Sequence, residues 1–401
     1  MNQPAHGDRP WVRALVSTSA VTTACVFPAF LTAAMAVQIR RDLDFGEAGV
    51  GFAVAAFFGG GAVFSAPFGR LAERMGATRA LRVAGLCVAL DVLAVAVFAR
   101  SLLVLCVLLV FGGAANSLCQ PAANLAIARA LPAHRLGVGF AVKQSAIPVA
   151  SLLAGLVVPA IALTVGWEWG FVAAAVFGVV SVAALPHLDD GGAAPKRTKG
   201  DRSGDVPIAV MAILAASIGL GASAAGCLGS FLVSAAVDAG MKEGGAGLLL
   251  TAGSLAGVTV RLAAGVRADK RDGGHLRVVV MMLALGSVCF AVLATGSVAV
   301  YLIVTPLAFA TGWAWPGLFN LAIVRANPGS PAAATGITQT GTYVGAVAGP
   351  LGFGFFASTW SYGVAWLMAS AFAAGAAGLM LIGRARLRAW KATATSCVAR
   401  G

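Results

Sequence analysis

Residues 69–79 read GRLAERMGATR and form a short basic loop between two long apolar runs. A degenerate copy, GVRADK, occupies residues 265–270, which lie 196 positions further along the chain. At the same offset, LAIAR at 125–129 recurs as LAIVR at 321–325. Matches at one offset along a whole half of the chain indicate an internal duplication, and parallel repeats of this kind are a transporter architecture.

The composition around this loop is that of a membrane protein. Of the 401 residues, 59% are hydrophobic and 11% are charged, and the mean hydropathy is +0.89. A soluble domain carries about 25% charged residues, and a disordered chain has low hydrophobicity, so both classes are excluded. The apolar runs are continuous rather than alternating, which argues against a porin-type barrel. We therefore predict an all-α membrane protein whose surroundings are the lipid bilayer.

Apolar runs of about 20 residues, long enough to cross a bilayer, occur twelve times. The predicted spans are 11–37, 47–68, 80–99, 101–128, 136–163, 167–185, 207–235, 244–266, 276–294, 297–324, 331–358 and 360–383. The polar segment 186–206 interrupts the series after six of them. We predict an N-terminal six-helix bundle at 1–185, a cytoplasmic linker at 186–206, and a C-terminal six-helix bundle with a short tail at 207–401.

The net charge of +13 follows from topology. With both termini in the cytoplasm, the cytoplasmic segments hold 22 of the 28 Lys and Arg residues and the outer segments hold four. Cytoplasmic loops of membrane proteins collect basic residues, so we predict a multi-pass protein of the cytoplasmic membrane with cytoplasmic termini. The charge gives no reason to expect a nucleic-acid partner. The remaining two basic residues, Lys143 and Arg261, fall inside predicted spans.

The 69–79 loop resembles the signature Gly-x-Leu-Ala-Asp-Arg-x-Gly-Arg-Arg of the major facilitator superfamily, with Glu73 in place of the usual Asp. The resemblance implies twelve transmembrane helices arranged as two parallel six-helix repeats. It also implies a functional monomer that moves a small-molecule substrate by alternating access, in which the two halves rock around a central site. The family's helices 1, 4, 7 and 10 line that site, and its loops between helices 2 and 3 act as a latch between the halves.

The latch prediction covers residues of both repeats. Gly69 and Gly265 are expected to end helices, and Glu73 and Asp269 are expected to accept hydrogen bonds from helix N-termini or arginines. Arg261, one turn before Gly265, is expected either to bridge to Asp269 or to complement an anion. The complete set of latch candidates is Gly69, Glu73, Arg74, Gly76, Arg79, Arg261, Gly265 and Asp269.

Polar side chains in the predicted cavity helices and their neighbours are the candidates for substrate binding. Amides that face lipid leave hydrogen bonds unmade, so an inward orientation is favoured, although bonding between helices is an alternative role. The candidates are Asn116, Gln120, Lys143, Gln144, Trp313, Trp315, Gln339 and Tyr343.

Two ionisable residues inside predicted spans, Lys143 and Asp91, each have a specific role in transport as one of two possible interpretations. Lys143 lies seven residues into its span, roughly 10 Å deep at 1.5 Å per residue. It either snorkels to the interface or forms a cationic site for an anionic substrate. Asp91 is an acid within a span, and it either binds a coupling proton or packs against a neighbouring polar group.

The predicted function is secondary active transport of a small organic solute, either an organic anion or another small metabolite. The alternative is a proton-coupled exporter of drugs or hydrophobic metabolites. An intramembrane enzyme is disfavoured because the sequence shows no catalytic constellation, and a non-transporting sensor because the tails and linker are short. We expect no cofactor and no metal site, because six of the seven cysteines lie in apolar segments and the four histidines lie in loops.

Overall fold

The computed structural model describes residues 10–131, 135–187, 206–270, 273–327 and 331–398. These residues are almost entirely helical. We refer to the described residues before the linker as the N-terminal half and to those after it as the C-terminal half. The predicted linker lies outside the described residues for nearly all of its length.

The N-terminal half consists of apolar helices separated by short turns. They are α1 (Pro10–Ala34), α2 (Ala36–Leu43), α3 (Glu47–Met75), α4 (Ala77–Phe98), α5 (Leu102–Ala130), α6 (Leu136–Gln144), α7 (Ala146–Val157), α8 (Leu163–Val165) and α9 (Trp167–Ala183). A π-helical turn at Val158–Ala162 joins α7 to α8.

The C-terminal half repeats this organisation. Its helices are α10 (Ile208–Asp238), α11 (Glu243–Asp269), α12 (His275–Leu293), α13 (Val298–Ala308), α14 (Pro316–Ala326), α15 (Pro331–Thr359) and α16 (Tyr362–Val398). A π-helical turn at Phe309–Trp313 follows α13.

The predicted fold class is confirmed. Within the described part of the chain, ten helical segments of 19 to 31 residues are long and apolar enough to cross a membrane. Two further helices occupy the remaining predicted spans. Trp167–Ala183 has only 17 residues, and Pro331–Thr359 is rich in Gly and Thr, which lowers its hydropathy. The architecture is therefore consistent with twelve spans.

The prediction that Gly69 and Gly265 end helices is wrong. Helix α3 continues through Gly69 to Met75, and α11 continues through Gly265 to Asp269. Arg and Glu favour helix, so the basic loop residues extend α3 beyond its apolar part. Gly76 follows the last residue of α3, and its φ of 81° is a conformation that glycine adopts without strain.

Several spans predicted as continuous helices are interrupted, and proline explains two of the interruptions. A proline cannot donate the N–H that the carbonyl four residues earlier needs. Pro148 therefore deprives the carbonyl of Gln144, where α6 ends, and Pro316 deprives the carbonyl of Gly312, where the π-helical turn leads into α14. The indole Nε1 of Trp315 donates to the Gly312 carbonyl at 2.9 Å and so satisfies it.

Glycines bring helices into backbone contact inside each half. On α15, Gly341, Gly345 and Gly349 recur every four residues and form one face. A methyl group added at Gly345 would lie 2.9 Å from the carbonyl carbon of Gly219 on α10 and closer still to its oxygen. Small residues at this spacing let membrane helices approach closely. The facing positions on α10 are Ala215, Gly219 and Ser223.

Small residues also join the two halves. Gly155 of α7 and Gly247 of α11 face each other, since a Cβ on either would approach the other's carbonyl oxygen within 2.6 Å. Further along the same pair of helices, Ser254 donates to Ser151 with an Oγ–Oγ distance of 3.1 Å. Helix α11 therefore packs along the α6–α7 segment of the opposite half.

Candidate functional site

A chain of polar side chains connects α6 to α5 inside the N-terminal half. The Nζ atom of Lys143 donates to Oε1 of Gln120 at 2.5 Å. Nε2 of Gln120 in turn donates to Oδ1 of Asn116, one helical turn away, at 3.0 Å. Lys143 is only 4% exposed and Asn116 only 5%. We call these three residues the Lys143 chain.

The direction of these hydrogen bonds determines what the Lys143 chain can bind. The amide oxygens of Gln120 and Asn116 are already accepting, whereas the Lys143 ammonium has three donors and uses one of them here. Among the described residues, carboxylates form ion pairs only with Arg40 and Arg41, so none pairs with Lys143. The chain thus combines a buried positive charge with unused donors, which suits an acceptor-rich anion.

Arg261 of α11 lies beside this chain and joins both halves. Its side chain is 3% exposed. One terminal nitrogen donates to the Gln144 carbonyl in α6, and the other donates to the Trp313 carbonyl at the end of the π-helical turn. Both terminal nitrogens of Arg261 thus bond to backbone carbonyls rather than to Asp269, as one of the two predictions had it. The Asp269 side chain lies outside the described residues. We call the contact of Arg261 with the two carbonyls the Arg261 clamp.

The other predicted substrate-binding residues are dispersed. Trp313 is buried between the rings of Phe30 and Phe309, with centroid distances of 5.8 and 4.8 Å. Trp315 is buried in the core of the C-terminal half.

On α15, the ring of Tyr343 lies against Gly61 of α3, whereas Gln339 is exposed. Gln144 enters the site through its carbonyl, because Arg261 donates to it, and its side chain is half-buried. The structure thus brings Asn116, Gln120, Lys143 and the backbone of Gln144 together, and it leaves Trp315 and Gln339 apart from them.

Asp91 of α4 is buried against α5. Its side chain is 7% exposed, and its Oδ2 atom has no hydrogen-bond partner among the described residues. The carboxylate occupies the space that a side chain at Gly112 would need, and Pro28 of α1 lies beside it. Asp91 is therefore placed in a groove made by a glycine, where it could hold a proton.

The predicted latch around residues 69–79 is solvent-facing in this structure. Glu73, Arg74 and Arg79 are exposed, and no ion pair involves them among the described residues. Gly76 forms the turn between α3 and α4.

One inter-half contact that the sequence did not reveal lies at the predicted outer end. Glu243, the first residue of α11, forms an ion pair with Arg41 and accepts a hydrogen bond from Gln38 at 2.6 Å, and both partners belong to α2. Glu47, its equivalent in the first repeat, pairs with the preceding Arg40 inside its own half. Glu47 and Glu243 are also separated by the 196-residue repeat offset, but the offset indicates no partner for either residue.

Replacing Glu243 with Gln should loosen the predicted outer end. A partly exposed ion pair contributes about 0.2–1 kcal/mol, which corresponds to a change in equilibrium of roughly 1.4- to five-fold. A Cβ at Gly354 of α15 lies 3.2 Å from the Cα of Ala48 in α3, so an Ala48→Cys/Gly354→Cys pair reports how closely α3 and α15, which belong to opposite halves, approach each other at the same predicted end. We expect Glu243→Gln to lower disulfide yield by that factor.

The control is Arg100→Gln, which changes one exposed charge at the same end. Equal disulfide yields in Glu243→Gln and Arg100→Gln would contradict a holding role for Glu243.

Comparison with known proteins agrees with this architecture. Two solved structures of a bacterial homologue of the human lysosomal transporter Spinster, both in an inward-facing conformation, share the fold. The unoccupied form is 14% identical with a TM-score of 0.64 and coverage of 95% of each chain. The occupied form is 15% identical with a TM-score of 0.66 and coverage of 98% of each chain.

No curated protein sequence matches the chain. The family model of the Major Facilitator Superfamily, however, matches residues 18–350. That stretch includes the 69–79 loop, its copy at 265–270, the Lys143 chain and the Arg261 clamp. The chain therefore belongs to the Major Facilitator Superfamily, and it is a multi-pass secondary transporter that acts on small molecules.

Proposed function

We propose that this transporter moves a small organic anion across the cytoplasmic membrane by alternating access. In this proposal the bundles at 1–185 and 207–401 rock about the central site, the linker at 186–206 connects them, and one chain is sufficient. Both termini lie in the cytoplasm, as the distribution of basic residues favours.

The observation that carries the proposal is that the buried ammonium group of Lys143 has no carboxylate partner among the described residues. A charged side chain within a membrane span is costly, and such residues commonly face a cavity and pair with an opposite charge. Lys143 is buried, bonds to a neutral amide and has no carboxylate partner among the described residues. A carboxylate or similar anion would supply the missing charge and accept the unused donors, in a charge-assisted hydrogen bond of the stronger kind.

Ligand-dependent melting tests this proposal before the substrate is known. A ligand that binds only the folded state raises its melting temperature. We would compare aliphatic, aromatic and dicarboxylic acids with their uncharged amides on the purified protein. At least one acid should stabilise the wild-type protein and not Lys143→Met, while its amide stabilises neither. Stabilisation by amides or cationic drugs alone would contradict an anion site.

We further propose that Asp91 couples transport to protons. Such coupling would also suit the alternative function, a proton-coupled exporter of drugs or hydrophobic metabolites. A buried carboxylate in a membrane span is by default a proton-site candidate. The absence of a partner for Oδ2 among the described residues is consistent with a proton on that atom. The contact with Gly112 of α5 places it one helix away from the Lys143 chain, since α5 also carries Gln120.

Asp91→Asn tests this coupling. We expect the variant to lose accumulation of substrate driven by a pH gradient, because the amide cannot exchange a proton. Counterflow, which needs no gradient, should continue at a rate close to that of the wild type. The two assays are run on the same proteoliposomes, and gradient-driven accumulation that survives in Asp91→Asn would remove Asp91 from coupling.

A further inference from the structure

The Arg261 clamp joins two helix breaks from opposite halves. Pro148 removes the N–H that the Gln144 carbonyl would otherwise accept, and Arg261 donates to that carbonyl. The Trp313 carbonyl lies where the π-helical turn gives way to α14, and Arg261 donates to it as well. An unsatisfied buried carbonyl is costly, so each break depends on the guanidinium.

The geometry requires arginine in particular. Its planar group presents two terminal nitrogens in a fixed fork, whereas lysine is a single point charge on a flexible stem. The stem of Arg261 passes Gly317 of α14, where an added Cβ would lie 3.9 Å from its Cγ. Arg261 therefore spans from α11 to α14 within its own half and to α6 in the other.

The clamp acts on the residue next to Lys143. Gln144 is the last residue of α6, and Ser145 separates it from α7. Holding the Gln144 carbonyl fixes the end of α6, and with it the direction in which Lys143 reaches Gln120.

We propose that Arg261 is a positioning residue that ties the end of α6, and so the Lys143 site, to the α13–α14 break of the opposite half. This inference rests on the proposed function only for its consequence for substrate affinity. The tie between the halves can be tested separately.

Disulfide trapping measures the tie without any substrate. A Cβ at Gly265 lies 2.9 Å from Cβ of Ala141 in α6, so Ala141→Cys/Gly265→Cys reports the α6–α11 contact next to the clamp. Ser151→Cys/Ser254→Cys reports the neighbouring contact of α11 with α7, beyond the clamp, and is the matched control. A protease site placed within residues 186–206 lets a disulfide be seen as two halves that stay together on a non-reducing gel.

We expect Arg261→Met to slow cross-linking of the 141/265 pair roughly ten-fold and to leave the 151/254 pair unchanged. Arg261→Lys should be intermediate, and it serves as the test if the Met variant does not fold. If Arg261→Met cross-linked both pairs at the wild-type rates, the proposal would be overturned. It would also be overturned if the variant slowed both pairs by the same factor.

A second measurement links the clamp to Lys143. Pro148→Ala restores an N–H for the Gln144 carbonyl, so in that background Arg261→Met should raise the KM for an exchanged carboxylate less than it does alone. A KM increase that is the same in both backgrounds would contradict positioning through Gln144. If the cross-linking result holds but no carboxylate is exchanged, the clamp stands and the anion proposal fails.

Discussion

Lys143→Met should abolish transport while the protein still folds and reaches the membrane. The Nζ atom is buried and donates to Gln120, and no carboxylate among the described residues neutralises it. Removing one member of a buried charge pair with a ligand costs about 2–5 kcal/mol, which is roughly a 30-fold or larger loss of affinity. Met is also unbranched and apolar, so burial of the side chain itself becomes easier.

Two further variants separate charge from structure in this experiment. Lys143→Arg keeps the charge and donors, and it should retain part of the exchange activity. Lys242→Met removes an exposed lysine charge at the predicted outer end and should leave activity unchanged. If Lys143→Met exchanged solute as fast as wild type, Lys143 would be an interfacial anchor and the anion site would be elsewhere.

Gly345→Val should reduce the yield of folded protein more than any other single change discussed. The added methyl groups would meet the Gly219 carbonyl and the Ser223 amide nitrogen, the latter at 3.0 Å from the first carbon. These are backbone atoms in the middle of α10, so relief requires the helices to separate. Overpacking typically costs about 1–3 kcal/mol, and loss of the close contact along Gly341, Gly345 and Gly349 adds to it.

Gly336→Val provides the matched control on the same helix. Among the described residues, no atom beyond the chain neighbours and the backbone of the same helix lies within 4 Å of a Cβ built at Gly336, so the variant carries the same change in helix propensity without the collision. Size-exclusion profiles of fluorescently tagged protein and melting temperatures measure both. Comparable folding of the two variants would show that α10 and α15 are not held by this contact.

The fold could be predicted from the sequence because the patterns that indicate it extend over long stretches of the chain. The apolar runs and the repeat offset each extend over many residues, and local exceptions such as Pro148 do not erase them. The helix ends were less predictable: Gly69 looked like a stop, yet α3 continues to Met75 because charged helix formers follow. The end of an apolar run indicates where a chain leaves the lipid, whereas the helix continues as long as its backbone hydrogen bonds do.

The candidate site was only partly predictable. The spacing of Asn116 and Gln120 on one helix face follows from helical periodicity, and their hydrogen bond was foreseeable. Contacts between helices were not, because the partner of a side chain depends on which helices pack together and at what height. The partners of Arg261 are backbone carbonyls. Every residue has a carbonyl, so the sequence does not indicate which ones accept a hydrogen bond from a side chain. Only Pro148, four residues after Gln144, hinted that one carbonyl there lacked a donor.

Counterflow in proteoliposomes shows whether the protein carries organic anions and whether Lys143 is needed for it. Vesicles containing the purified protein and loaded with a mixture of unlabelled solutes would be offered labelled pools of anionic, neutral and cationic compounds. We predict that an anionic pool is exchanged and the others are not, and that Lys143→Met exchanges none. Exchange of only neutral or cationic compounds, at equal rates in wild type and Lys143→Met, would contradict it.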